Sequence, residues 1–194
     1  MRILALDLGT NINGVAILEV APRSLELSSL KAFSFQTHPE IYQHDSEQSI
    51  NYQLSDKVNY VCNEVSRLCS VYSPDVLVLE QPFFNAGFPL PAIRLYQLYH
   101  ALLKEVRQRF PHISLNSITA PKARSYIGYK RMSDLKTKDA VKRALYAFPY
   151  LSQHLSVLDV LDEHGLDATC VGVAYIAHFK TINSWQNTDE PICR

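Results

Sequence analysis

The chain has 194 residues, of which 47% are apolar and 20% charged, with 19 basic side chains against 19 acidic ones. That length predicts one domain with a core of its own, and the balance is that of an ordinary globular protein. A net charge of zero argues against an all-over polyanion binder, and no apolar run reaches the ~18 residues that a membrane-spanning helix needs.

The N-terminus lacks the basic-then-apolar pattern of a signal peptide. Cys62, Cys69, Cys170 and Cys193 show no C-x-x-C spacing. Cys62 and Cys69 lie seven apart on one face of a predicted helix, which points to buried free thiols in a reducing cytoplasm and not to a zinc site.

In chain order, the unbroken apolar run Ile3–Leu6 predicts a strand over 2–8, covered on both faces. It ends in Asp7, then Gly9, and Gly14–Leu18 begins a second strand over 14–20. A carboxylate in so apolar a setting is costly unless it is paired or binds a cation. The alternative is that Asp7 caps the turn through its own backbone. A third strand over 30–36 follows the turn at residues 21–24, so the three form an antiparallel meander. Residues 37–47 read as a polar loop carrying His38 and His44. A helix runs from about Ser46 to Ser73, with Ile50, Leu54, Val58, Val61, Val65 and Leu68 in one apolar stripe. Asp75–Glu80 is another buried strand, and it too ends in a carboxylate. Residues 81–89 form a loop with Phe83, Phe84 and Phe88, which either present their rings or pack under the loop. A helix over 90–109 and a short strand over 113–118 come next.

After Pro121 the charge changes. Residues 122–143 hold eight basic and two acidic side chains, a net +6, and leave the rest of the chain at −6. Two short helices are predicted there, over 123–127 and 137–147, with a linker over 152–159. Lys122, Arg124, Lys130 and Arg131 interleave with Tyr126 and Tyr129, and Lys138 lies further along. Such a patch holds phosphates even on a neutral protein, and aromatics stack on unpaired bases. The last helix enters near Glu163. His164 and Asp167, three apart, share a face, and Ala168, Gly172 and Ala174 let the helix approach the sheet closely. Residues 1–182 are expected to form the domain and 183–194 a frayed tail.

Strand and helix order predicts an α/β fold, a five-stranded mixed sheet with helices on both faces. If strands one and four are parallel neighbours, Asp7 and Glu80 emerge at the same edge, where such sheets place ligands. Asp7, Glu80 and Asp167 then supply the shared oxygen ligands that two hard divalent cations need for phosphodiester cleavage. His164 is a further ligand, a general base, or a group orienting Asp167.

Ile3-Leu-Ala-Leu-Asp-Leu-Gly-Thr10, Leu77-Val-Leu-Glu-Gln-Pro-Phe-Phe84 and His164-Gly-Leu-Asp-Ala168 together resemble the RuvC family of Holliday junction resolvases. The likeness runs along the whole chain, and the third block is its most specific part. It implies an RNase H-like fold, a homodimer, and Mg²⁺-dependent paired nicking of four-way DNA junctions, with two ions per site and Mn²⁺ as a substitute. It also implies a cytoplasmic enzyme of a bacterial or phage-infected cell, working beside a branch-migration helicase. By position, Asp7, Glu80, His164 and Asp167 match the catalytic tetrad, and Phe83 the aromatic associated with opening the junction centre. Leu8 departs from the family's usual proline, and Pro82 and Phe84 are uncommon in that loop. Two other readings stay open: a YqgF-type RNase H-like nuclease acting on RNA, and a module that binds junctions without cutting them. An actin-like kinase would need a longer chain. The 90–109 helix, with Tyr96, Tyr99 and Leu103, is the expected dimer surface unless it is internal.

Overall fold

Ile3–Leu6 is apolar at every position because the strand that carries it, β1 (Arg2–Asp7), is fully covered on both faces. The computed structural model describes residues 1–21, 24–37, 47–83, 87, 89–129 and 137–186, the side chains of 47–53, 137–138 and 180–186 excepted. In it β1 pairs antiparallel with β2 (Ile12–Val20), and β2 antiparallel with β3 (Leu27–Gln36). Helix α1 (Glu47–Tyr72) then leads to β4 (Val76–Gln81), which lies parallel to β1. Helix α2 (Pro89–Arg109) leads to β5 (Ser114–Thr119), parallel to β4. The sheet order is β3-β2-β1-β4-β5, the mixed five-stranded architecture expected from the sequence.

Alternation along the strands divides the core in two. Leu4, Leu6, Val15, Ile17, Leu77 and Leu79 face α1 and α2, meeting Val61, Val65, Leu68, Leu98 and Leu102. Ile3, Ala5, Ala16, Leu18, Val76 and Val78 face the other way, under the C-terminal helices. Those are α3 (Ala120–Tyr126), α4 (Thr137–Tyr146), α5 (Leu155–Asp159) and α6 (Glu163–Gln186). Each large apolar side chain sealed in these layers contributes about 1.5–3 kcal/mol before entropy is counted.

Several boundaries differ from expectation. The stretch 152–159, read as a linker, holds α5, and its Leu158 is completely buried. The last helix continues to Gln186, so the boundary expected after residue 182 falls inside α6. Cys62 and Cys69 are buried on one face of α1, and burial lifts both thiols to about 11; Cys170, sealed in α6, rises to about 12. Tyr99 is buried among the residues between α1 and α2, so it belongs to the core and not to an outer surface. Among the described residues no helix is long and apolar enough to cross a membrane. His38, His44, Phe84, Phe88, Lys130, Arg131 and Cys193, with the side chain of Lys138, lie outside the described residues.

Candidate active site

The two strand-end carboxylates share a face by parity. Asp7 continues the Ile3, Ala5 series of β1, and Glu80 continues the Val76, Val78 series of β4; both series lie beneath α6. They also share a level. Ser34 of β3 pairs with Gly14 of β2, Gly14 pairs with Asp7, and Glu80 comes one residue after the Leu6–Leu79 pair. Ser34, Gly14, Asp7 and Glu80 thus form one transverse row across four strands, at the C-terminal end of β1.

The first turn of α6 lies over this row. A Cβ on Gly14 would stand 2.0 Å from the backbone oxygen of His164, so only glycine lets the helix come so close there. One layer down, a Cβ on Gly172 would stand 3.1 Å from that of Ala5 and 2.4 Å from a methyl of Leu18. The close approach expected from the small residues of this helix is what the structure has. Its consequence is that His164 Nδ1 donates to Asp7 Oδ2 at 3.2 Å, while Nε2 stands 3.7 Å from Glu163 Oε1.

The turn after Asp7 has a brace that the sequence did not reveal. Asn13 is fully buried; its Oδ1 accepts from the Gly9 N–H and its Nδ2 donates to Thr37 Oγ1, each at 3.2 Å. Gly9 is tight for its own reason, since a Cβ there would stand 2.2 Å from the Ile12 oxygen. A polar residue at the start of a strand reads as turn, and only its burial shows otherwise.

Burial and mutual repulsion dominate the electrostatics. Burial pushes the Glu80 carboxyl up to about 7, and the charges of Asp7 and Asp167 add to it against the opposing pull of Arg124. Asp7 is also raised, chiefly by burial, with His164 and Arg124 opposing. Glu80 therefore lies in the fields of both Asp7 and Asp167, and α3 delivers Arg124 to the same place. Hard oxygen donors in charge excess are the donor type that divalent cations favour. The side chains as they stand are not drawn to one point: among the described residues no group of three or more His, Cys, Asp or Glu could hold a metal ion. The donor set fits such a cation in chemistry, with Asp7, Glu80 and Asp167 as the residues that would hold it.

The predicted nucleic-acid contacts divide. Phe83 is 79% exposed, which rules out its packing under the loop. Lys122 is exposed on α3, its Nζ 6.0 Å from the Tyr126 ring centroid. Tyr126 is engaged with α6, its hydroxyl 2.5 Å from His178 Nδ1. Tyr96 of α2 donates to the Pro82 carbonyl oxygen at 2.9 Å, fixing the chain just before Phe83.

A mixed sheet of this order, with acidic side chains at the ends of β1 and β4, has the RNase H-like fold. RuvC-type resolvases are homologues of this chain by sequence. The crossover junction endodeoxyribonuclease RuvC of Dictyoglomus thermophilum is 26% identical over 145 residues, 75% of this chain and 82% of the relative. That of Dictyoglomus turgidum is 27% identical over the same shares. In fold, the chain resembles Thermus thermophilus RuvC solved with a Holliday junction substrate, at a TM-score of 0.63 and 12% identity, covering 93% of this chain and 96% of that one. It also resembles the yeast mitochondrial Holliday junction resolvase Ydc2, at a TM-score of 0.65 and 14% identity, covering 96% and 82%. No protein-family model matches the chain.

Proposed function

We propose that this protein is a crossover junction endodeoxyribonuclease, which binds four-way DNA junctions and cuts them by hydrolysing phosphodiesters. The observation that carries the reading is the transverse row: Asp7 and Glu80 side by side at the strand ends, with α6 holding His164 on Asp7 and the charge of Asp167 close to Glu80. The relatives named above support the substrate.

Two Mg²⁺ ions, for which Mn²⁺ substitutes, supply activation of the attacking water and stabilisation of the leaving oxygen when bound. The chain's own residues do the rest. Asp7, Glu80 and Asp167 present the oxygen donors. His164 donates through Nδ1 to Asp7, which orients the ring and leaves Nε2 as the nitrogen that exchanges a proton near the reacting phosphate. Lys122 and Arg124, with Lys130, Arg131 and Lys138 of the same basic stretch, neutralise phosphates and fix the DNA without reading its sequence. Phe83, with Phe84 beside it, meets the junction centre. Two copies of the chain act as a homodimer, each nicking one strand, and a branch-migration helicase supplies the junction.

A labelled four-way junction, incubated with and without Mg²⁺, tests this. Paired nicks at symmetric positions are expected with Mg²⁺ only, and Asp7→Asn should abolish them while junction binding in Ca²⁺ stays nearly unchanged. Binding with no nicking under any divalent ion would make the protein a junction-binding module. Preferential cutting of single-stranded RNA would move it to the YqgF type.

A further inference from the structure

The start of α6 carries two carboxylates, Asp162 and Glu163, besides Asp167. Asp162 stands two residues before His164, close enough in sequence to pass for a spare ligand. Its contacts run elsewhere. Asp162 Oδ1 accepts from the Gly165 N–H at 2.8 Å, the side-chain bond of a helix N-cap, and its own carbonyl accepts the first helical bond from Leu166 N at 3.1 Å. Its other oxygen, Oδ2, accepts from the hydroxyl of Ser34 on the edge strand β3. Ser34 belongs to the same transverse row as Gly14 and Asp7. The first turn of α6 is thus held at successive points along one line of the sheet: Asp162 on Ser34, the His164 backbone against Gly14, and the His164 ring on Asp7.

We propose that Asp162 and Ser34 form a latch that seats α6 across the sheet, making Asp162 a positioning residue for His164 and Asp167 and not one of the groups that face the phosphate. The proposal rests on the nuclease reading for its functional consequence, and on the hydrogen bonds alone for its structural one. Each oxygen of Asp162 already accepts a hydrogen bond from the protein, and these two bonds are what tie the start of α6 to the sheet. An asparagine can replace both contacts: its Oδ1 accepts from Gly165 N and its Nδ2 donates to Ser34 Oγ, which is able to accept. It cannot replace an anionic metal ligand.

The test compares Asp162→Asn, Asp162→Ala and Ser34→Ala in the full chain. Two measurements are made: Mg²⁺-dependent nicking of a four-way junction, and hydrogen exchange of the backbone amides of residues 165–168 without DNA or metal. A latch predicts that Asp162→Ala and Ser34→Ala both lower kcat about tenfold or more, the scale of a small misplacement of reacting groups, with KM for the junction unchanged. Both should speed exchange at Gly165. Asp162→Asn should stay within about threefold of the unaltered protein in kcat, as a cap-preserving substitution allows, and keep its exchange protection. Loss of nicking by Asp162→Asn as complete as that by Asp7→Asn, with exchange unaltered, would overturn the latch and make Asp162 a ligand. Unchanged exchange in both alanine variants would overturn it as well. If the unaltered protein nicks no junction, the nuclease reading fails by itself and the exchange measurement still decides the latch. Should Asp162→Ala not fold, Ser34→Ala carries the same comparison.

Discussion

Glu80 is the residue whose surroundings bear most directly on the chemistry. Its carboxyl sits at about 7 because burial and the charges of Asp7 and Asp167 disfavour ionisation. An unfolded chain would release that proton near 4.5. Between those values the folded protein holds more protons than the unfolded one, so stability falls as pH rises through the window. The full shift corresponds to about 3 kcal/mol, and less where water reaches the partly exposed side chain. Thermal melting without divalent ions should show Tm falling from pH 5 to about pH 7 and levelling above it. Asp7→Asn removes one of the repelling charges, so its melting curve should depend less on pH across the same range. Added Mg²⁺ should raise Tm more at pH 8 than at pH 5, because the carboxylates it meets are ionised at the higher pH. Asp7, Glu80, His164 and Asp167 could be singled out as candidates because each stands where an apolar pattern ends or a helix begins. Asn13, Ser34 and Asp162 were not assigned their roles, since those depend on the register of β1, β2 and β3, and no local pattern states a register.

At the scale of elements, the packing of α6 on β1 and β2 decides whether the site exists. The spacing of His164, Asp167 and the small residues after them foretold the helix and its closeness to the sheet. It did not foretell that Gly14, read as the first residue of the strand over 14–20, would lie directly against the His164 carbonyl. The early start of β3 was hidden by the irregularity between Glu19 and Val20, where the pairing register shifts and the alternation of Leu27 and Leu30 is broken. Helix α5 was missed because five residues make too little of a period to detect. Gly14→Ala puts a methyl into the His164 carbonyl, so α6 must lift at the end that carries His164 and Asp167. Overpacking of this kind typically costs about 1–3 kcal/mol. The expected outcome is a folded protein with lower Tm and nicking reduced about 100-fold, a loss out of proportion to the loss of stability, since 1 Å of misplacement acts on the chemistry itself. Denaturant melts and single-turnover nicking, measured on the same variant, check the two effects separately.

Across the whole molecule the charges are sorted, with +6 in residues 122–143 and −6 in the remainder. Binding to DNA should therefore be strongly salt-dependent despite zero net charge, because the phosphates meet one stretch and not the average. Holding the backbone does not open a junction, and Phe83 is the residue proposed for that. Its ring is 79% exposed beyond the end of β4, three residues after Glu80, and the Tyr96 hydroxyl holds the Pro82 carbonyl just before it. An aromatic ring left in water gains about 1–3 kcal/mol by stacking on an unpaired base. On the proposed reading, the strands of an intact four-way junction part at the centre before a phosphodiester reaches Asp7 and Glu80, and in a junction already nicked they part more readily. Phe83→Ala should therefore slow nicking of the intact junction about 10-fold or more, and affect the pre-nicked one much less. Binding in Ca²⁺ should change little in either case, because the phosphate contacts remain. An equal loss on both substrates would place Phe83 in general DNA affinity and not in opening the junction; single-turnover rates on the two substrates, measured side by side, distinguish these outcomes.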